Sequence, residues 1–423
     1  MINSVNIHEL VSMKRVFLGI LSLLHITHDS SATEDWPLWR GVSQDGHASV
    51  GQNLPNEWSA TKNIIWKSKI LGRGHGSPIV VGNQIFLPTA DEIKQSQSIL
   101  CLNRSSGKQE WKTVIHQGKF DKINKKGSHA SGSLAFDGKQ VYINFLNAGV
   151  AYTTALSLDG KIAWQTKITD YKVHQAYASS PSPYGETLLL VAADNKQNGV
   201  LTGLNRQTGK IVWKVKRPRY PNYASPVVYH IFKKDQLLMT GCDLVSSFNP
   251  RNGEKLWEIE GATTECVTTT VNDGVHIYSS GGYPKNHVSA IRADGSGKVV
   301  WQNNIRVYVP SMIIHQGYLY AIADAGIAYC WKSDTGEMMW RGRLGGTFSA
   351  SITLADDKLY TANEAGECFV FRASPKQFDL ISKNRLGDEI FASPVICGQK
   401  LYQRTAHRSG KVRQEYLYCI GRK

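Results

Sequence analysis

No segment of this chain sustains apolar residues at helical spacing, which argues against a helical bundle. No apolar run is long enough to span a bilayer as a helix. Gly-x-Ser-x-Gly, P-loop and His-Glu-x-x-His patterns are all missing, so the usual marks of serine hydrolases, nucleotide hydrolases and zinc proteases are not there. Cysteine is sparse: there are seven, at 101, 242, 266, 330, 368, 397 and 419. The count is odd and the positions scattered, which argues against a full disulfide framework. No Cys-x-x-Cys or Cys-x-x-Cys-His occurs, leaving a zinc ribbon or c-type haem unsupported. No Cys precedes Cys101, so there is no lipobox and no lipid anchor is expected. Acidic residues are the minority: 34 against 49 Lys and Arg give a net charge of +15 over 423 residues.

What the chain has is a repeat. Gly-Lys/Glu-x-x-Trp occurs at Gly107–Trp111, Gly160–Trp164, Gly209–Trp213, Gly253–Trp257, Gly297–Trp301 and Gly336–Trp340. Successive tryptophans lie 53, 49, 44, 44 and 39 residues apart. Periods of about 40 to 50 residues mark a propeller or a solenoid. Between tryptophans run short segments rich in β-branched and aromatic residues, separated by Gly, Asn, Asp and Ser. They read as four short antiparallel strands joined by tight turns. One four-stranded sheet cannot bury both faces, so the sheets must stack, with Trp111, Trp164, Trp213, Trp257, Trp301, Trp340 and Trp66 as the bodies filling the gaps. The repeat Gly supplies a turn of unusual φ. Cys101 and Cys330 stand six residues before it, where other repeats carry Gly203 or Ser247, so the slot asks for a small buried residue.

Inner-strand signals at Ser77-Pro78, 131–134, Ser180-Pro181, Ser225-Pro226, 268–270, Pro310-Ser311, 349–351 and Ser393-Pro394 number eight. The seventh unit lacks its Trp, with Phe378 to Arg385 in that place. The eighth, 392–420, lacks an outer strand, while Asn63–Lys67 is an outer strand with no blade before it. The prediction is an all-β, eight-bladed β-propeller of four-stranded antiparallel blades, closed by pairing the Trp66 strand with the C-terminal blade, which removes exposed edges.

The domain reading is a leader and secretory signal peptide over 1–32, an N-terminal extension over 33–62 and the propeller over 63–423. Met13-Lys14-Arg15, the apolar Val16 to Leu24 and Ser30-Ser31-Ala32 are the n-region, h-region and cleavage site. Either Met1 or Met13 is the start. An exported protein in the periplasm or outside the cell is expected, with nucleic acid disfavoured as a partner; a monomer is expected. Trp36 and Trp39 are expected to pack on the propeller as a clasp near the closing blade.

Residues just before the inner strands should line one mouth of the central channel: His75, His129, His174 with Tyr177, Tyr223, Glu265, Tyr308, Phe348 and Phe391. Aromatics and histidines in a ring suit a flat or sugar-like ligand, or a gripped peptide. Metal ligation by His75 and His129, and a Ca²⁺ role for Asp194-Asn195 or Asp324, are disfavoured. Basic clusters at Lys119, Lys122, Lys125, Lys126 and at Arg404, Arg408, Lys411, Arg413 are placed in loops. They could meet acidic polysaccharide or an anionic membrane.

The Gly-Lys-x-x-Trp repeats, Ser225–Val228, Ser393–Val395, the head Trp36–Gly41 and the tail Tyr416–Gly421 resemble the pyrroloquinoline-quinone (PQQ) repeat propellers. That superfamily holds quinoprotein alcohol dehydrogenases and BamB-like proteins, and exported planctomycete-type members are similar in head and tail. The resemblance covers about 36–423 and implies eight blades. It does not imply the cofactor. The dehydrogenases add adjacent cysteines, a quinone-stacking Trp, a Ca²⁺ site and a catalytic Asp, and adjacent cysteines are absent here. The expectation is therefore a non-enzymatic envelope scaffold binding protein or glycan, with no cofactor and no catalytic residue. The alternative is a quinoprotein dehydrogenase using PQQ and calcium.

Overall fold

A computed structural model describes residues 35–423; the leader and signal-peptide reading lies outside them. The chain forms eight four-stranded antiparallel sheets, and seven of them are continuous in sequence. Blade 1 spans 79–117, blade 2 135–170, blade 3 182–216 and blade 4 227–260. Blade 5 spans 271–303, blade 6 313–343 and blade 7 353–385. Blade 8 takes three strands from 395–420 and its outer strand, Ile64–Ile70, from the other end of the chain. That strand pairs antiparallel with Val412–Ile420, setting Trp66 opposite Cys419. The predicted closure is therefore the observed one. Arg404, paired with Glu415 at 2.6 Å within blade 8, reaches across the seam to donate to the carbonyls of Gly76, which leads into blade 1, and of Pro88 in it.

The repeat motif works between blades. In register, each Trp faces a small residue on the preceding strand: Cys101 faces Trp111, Ala155 Trp164, Gly203 Trp213 and Cys330 Trp340. The indole then leans onto the next blade. A Cβ on Gly209 would stand 2.5 Å from the Trp164 ring, and Gly107, Gly160 and Gly336 are closed off in the same way by Trp66, Trp111 and Trp301. The motif Gly thus serves two needs, since its φ is also positive, between 66° and 84° in all six copies. Five indoles also donate to a carbonyl in the next repeat: Trp66 to Arg104, Trp111 to Leu158, Trp164 to Arg206, Trp301 to Ser333 and Trp340 to Ser374. A β-bulge skips the residue before each Trp, which leaves neighbours such as Ile211 and Val212 both exposed.

Blade 7 breaks the pattern. Ser382 holds the Trp register position and Val370 the small slot opposite. Phe378 packs on Trp340 where a glycine turn would be, with ring centroids 5.5 Å apart. The missing ring comes from the N-terminal extension: Trp58 is buried in the core shared by blades 7 and 8, its backbone N–H donating to Asn384.

Two expectations need correction. Trp36 does pack beside the closing blade, but the segment beyond it does not stop there. It runs across the channel and touches seven blades, at Val80, Phe136, Ser182, Tyr229, Thr269, Met312 and Leu354. The Trp39 indole donates to Thr269, Arg40 to the Met312 carbonyl as well as to Asp45, and the Gln44 amide to Ser182. Burial lowers the Arg40 guanidinium to about 10. Arg404, read as part of a loop cluster, is instead a buried strand residue, and Arg408 and Arg413 lie on the strands of that same long hairpin, paired with Glu389. The hairpin is longer than its counterparts, so its cations reach back over blade 8. Among the described residues no helix is long and apolar enough to cross a membrane.

Candidate functional site

Each inner strand begins with a hydroxyl at the channel wall. Ser77 N–H donates to Ser133 Oγ, Ser133 to Ser180 and Ser180 to Ser225, at 2.9 to 3.0 Å. The chain of bonds resumes from Thr269 to Ser311, Ser311 to Ser351 and Ser351 to Ser393, at 2.8 to 3.0 Å. Each bond ties one blade to the next. Thr269 Oγ1 instead accepts the Trp39 indole N–H at 2.9 Å, so Trp39 is the floor where the ring is interrupted.

Above this floor the channel opens as a cavity of about 420 Å³. Of the residues proposed from sequence, His75, Tyr223, Tyr308, Phe348 and Phe391 line it. His75 stacks on Phe391 with centroids 4.2 Å apart and an interplanar angle of 12°. Burial, then the Arg73, Arg404 and Arg413 cations, hold its imidazole well below the usual histidine range, so it is neutral. The Tyr223 ring is buried, and its hydroxyl makes no well-formed hydrogen bond, the Gln175 backbone being its near neighbour.

His129, Tyr177 and Glu265 stand outside the lining. His129 stacks on Phe120, and Tyr177 donates to the Ala192 carbonyl and packs edge-on against Tyr171. Glu265 is buried behind the wall. It accepts from the Tyr308 hydroxyl at 3.0 Å and pairs with exposed His174 at 3.0 Å. It therefore positions Tyr308 at the cavity.

Asp324 and Glu364 also reach the cavity, from equivalent turns of blades 6 and 7. Their shared signal is the Ala-Asp-Ala-Gly and Asn-Glu-Ala-Gly pair at 323–326 and 363–366. Burial raises the Asp324 carboxyl, although it accepts the Tyr308 N–H at 2.8 Å. Glu364 accepts from Ser349 and bridges the mouth to Lys126 at 3.1 Å. Arg306 donates to the Gly282 carbonyl and lies over the Tyr308 ring. The lining thus carries two cations and two carboxylates, close to electrical balance. Among the described residues no cluster of three His, Cys, Asp or Glu is gathered for a metal.

Comparison with known proteins places this architecture. The family model for outer membrane protein assembly factor BamB matches residues 31–171, 95–275 and 284–375, and the chain belongs to this family of PQQ-repeat propellers. BamB of Yersinia pestis is 24% identical over 311 residues, 68% of this chain and 72% of that protein. A tetrathionate hydrolase of Acidithiobacillus ferrooxidans is 23% identical over 375 residues, 81% of this chain and 65% of that one. Among solved structures, BamB from Moraxella catarrhalis superposes with a TM-score of 0.60 at 12% identity, covering 84% of this chain and 96% of that one. Quinohemoprotein alcohol dehydrogenase from Comamonas testosteroni gives 0.69 at 12%, covering 94% and 82%. Both show a shared fold.

Proposed function

We propose that this BamB-type propeller is a non-enzymatic scaffold of the cell envelope whose open channel mouth binds a protein or glycan. The observation that carries the reading is the asymmetry of the channel. One end is sealed by the protein's own residues 36–48, and the other opens through an aromatic collar. Aromatic surface around a few placed polar groups is the usual make-up of a binding site. The basic loop carrying Lys119, Lys122, Lys125 and Lys126 reaches this mouth through Asn124, Lys126 and Gly127, and would favour acidic protein surfaces around it.

The rival reading is a quinoprotein dehydrogenase, favoured by the higher TM-score to the quinohemoprotein. A PQQ–calcium pair asks for oxygen ligands around the ion and free cations for the quinone carboxylates. In our reading the residues present do not fit it. Glu364 is held by Lys126 and Ser349, Asp324 by a backbone N–H, and Arg306 by a carbonyl. All seven cysteines are buried, and no two are adjacent in the sequence. The deciding experiment is a pull-down from envelope extract with the full chain and with Phe348→Ala/Phe391→Ala. Retention of a partner by the native chain and its loss in the folded variant supports the scaffold. Stoichiometric PQQ binding with dye-linked alcohol oxidation would replace it with the dehydrogenase.

A further inference from the structure

The serine ring holds a chemical surplus. Ser133, Ser180, Ser225, Ser351 and Ser393 each spend an acceptor site on the N–H of the preceding blade. Their hydroxyl protons have no acceptor among the described residues, and all five side chains line the cavity in residues more than nine-tenths buried. A hydroxyl carries one donor and two acceptor sites, so five donors converge on the cavity unspent. Two further groups add to them. The Tyr223 hydroxyl lacks a well-formed bond, and the buried His75 Nε2 has no partner.

A buried polar group left unpaired is costly, so a set of them around one cavity implies something that fills it. Bulk water would serve, but water gives no reason for the aromatic collar directly above. That collar offers flat faces: the His75–Phe391 stack and Tyr308. Near balance of charge in the lining, Lys126 and Arg306 against Asp324 and Glu364, favours a neutral occupant over an anion. A ligand rich in oxygen acceptors, with apolar faces and no net charge, matches both layers.

We propose that the cavity is a subsite for a neutral saccharide, its ring faces against the aromatic collar and its oxygens accepting from the serine ring and Tyr223. This rests on the reading of the channel mouth as a binding face and names the ligand class that enters it. At about 420 Å³ the cavity lies within the range of small-ligand sites, which suits the end of a glycan chain.

The test is calorimetric titration of the full chain with a panel of neutral mono- and disaccharides, including maltose, cellobiose and N,N′-diacetylchitobiose. Polygalacturonate and a capped Gly-Tyr-Gly peptide are the contrasting probes. Saturable binding of at least one neutral sugar is expected, weakened about tenfold by Tyr223→Phe, the effect of losing roughly 1.4 kcal/mol. That variant should keep its melting midpoint, because the hydroxyl it removes makes no well-formed hydrogen bond within the protein. Phe391→Leu is the second variant, and it should weaken binding by removing the stacking face. No saturable sugar binding at about 10 mM, where even a millimolar site would be mostly filled, overturns the proposal. So does preference for the acidic polymer or the peptide, or sugar binding indifferent to both variants. A partner still retained from envelope extract in that case would leave the scaffold reading standing and remove only the saccharide subsite.

Discussion

Two belts run around this propeller, and both link a blade to the next in the same direction. The outer belt is tryptophan in every blade but blade 7, and the inner is serine in every blade but blade 5, which carries Thr269. In the outer belt the large ring fills the inter-blade gap, closes against a glycine and in five blades sends its one N–H to a waiting carbonyl. Most of what it has is used. In the inner belt five serine hydroxyls each accept one bond from the blade before and keep a donor unspent. The outer belt is built to hold the ring together, and the inner belt holds it while leaving chemistry facing the channel. Stability and binding should therefore separate along this radius.

The largest break should come from the ends of the chain. Deleting 33–70 removes the outer strand of blade 8, the Trp58 patch on blade 7 and the channel floor at once. An exposed sheet edge promotes association, so the product should be insoluble or oligomeric by size-exclusion chromatography. Deleting only 33–60 keeps the strand and should stay monomeric, with a lower melting midpoint. A monomeric 71–423 fragment that melts like the full chain would show that the ring does not need closing.

Next in size is the outer belt itself. Trp66→Ala or Trp340→Ala empties a buried inter-blade site and should destabilise by about 3–5 kcal/mol, read by chemical unfolding. Sugar and partner binding should be unchanged under native conditions, because neither ring lines the cavity. Loss of binding in a folded Trp340→Ala protein would mean that the two belts are coupled.

The outer belt was legible in the sequence because its demands are absolute. A large ring, a glycine that must yield to it and a small residue opposite leave a fixed spacing, and closure by the Trp66 strand followed from counting orphan strands. The inner face was only half legible. Residues before an inner strand sit in blade-to-blade connections of unequal length, such as 118–134 against 344–352. Length decides whether a side chain turns inward, like Phe348, or folds back on its own connection, as His129 does on Phe120. Trp39 could not be placed because its partner, Thr269, lies 230 residues away. Trp58 answers a vacancy in blade 7 that was visible as a missing Trp, but nothing local in the sequence joins the two.

A smaller effect belongs to the inner belt. Ser180→Ala leaves the Ser133 N–H without its acceptor in a buried site, and should destabilise by about 1–3 kcal/mol. It also removes one of the unspent donors. Unlike Trp340→Ala, it should lower stability and saccharide affinity together. Unchanged stability would mean that water replaces the hydroxyl and that the belt does not hold the blades.

The finest test lies inside the outer belt, where two tryptophans depart from the rule. The Trp213 indole N–H has no hydrogen-bond partner, and Trp257 donates within its own blade, to Gln236. Trp340 follows the rule and donates to the Ser374 carbonyl at 2.8 Å. Trp→Phe at either site keeps an aromatic ring in the gap and trims a similar area, so packing losses should be close. What differs is the hydrogen bond. Trp340→Phe loses one worth about 0.5–1.5 kcal/mol, whereas Trp213→Phe removes a buried donor that was bonded to nothing. Trp340→Phe should therefore be the more destabilising of the two by about 1 kcal/mol in chemical unfolding. Equal losses would mean that the outer belt holds by ring packing alone, and that the indole bonds recurring from blade to blade follow from the fold without supporting it.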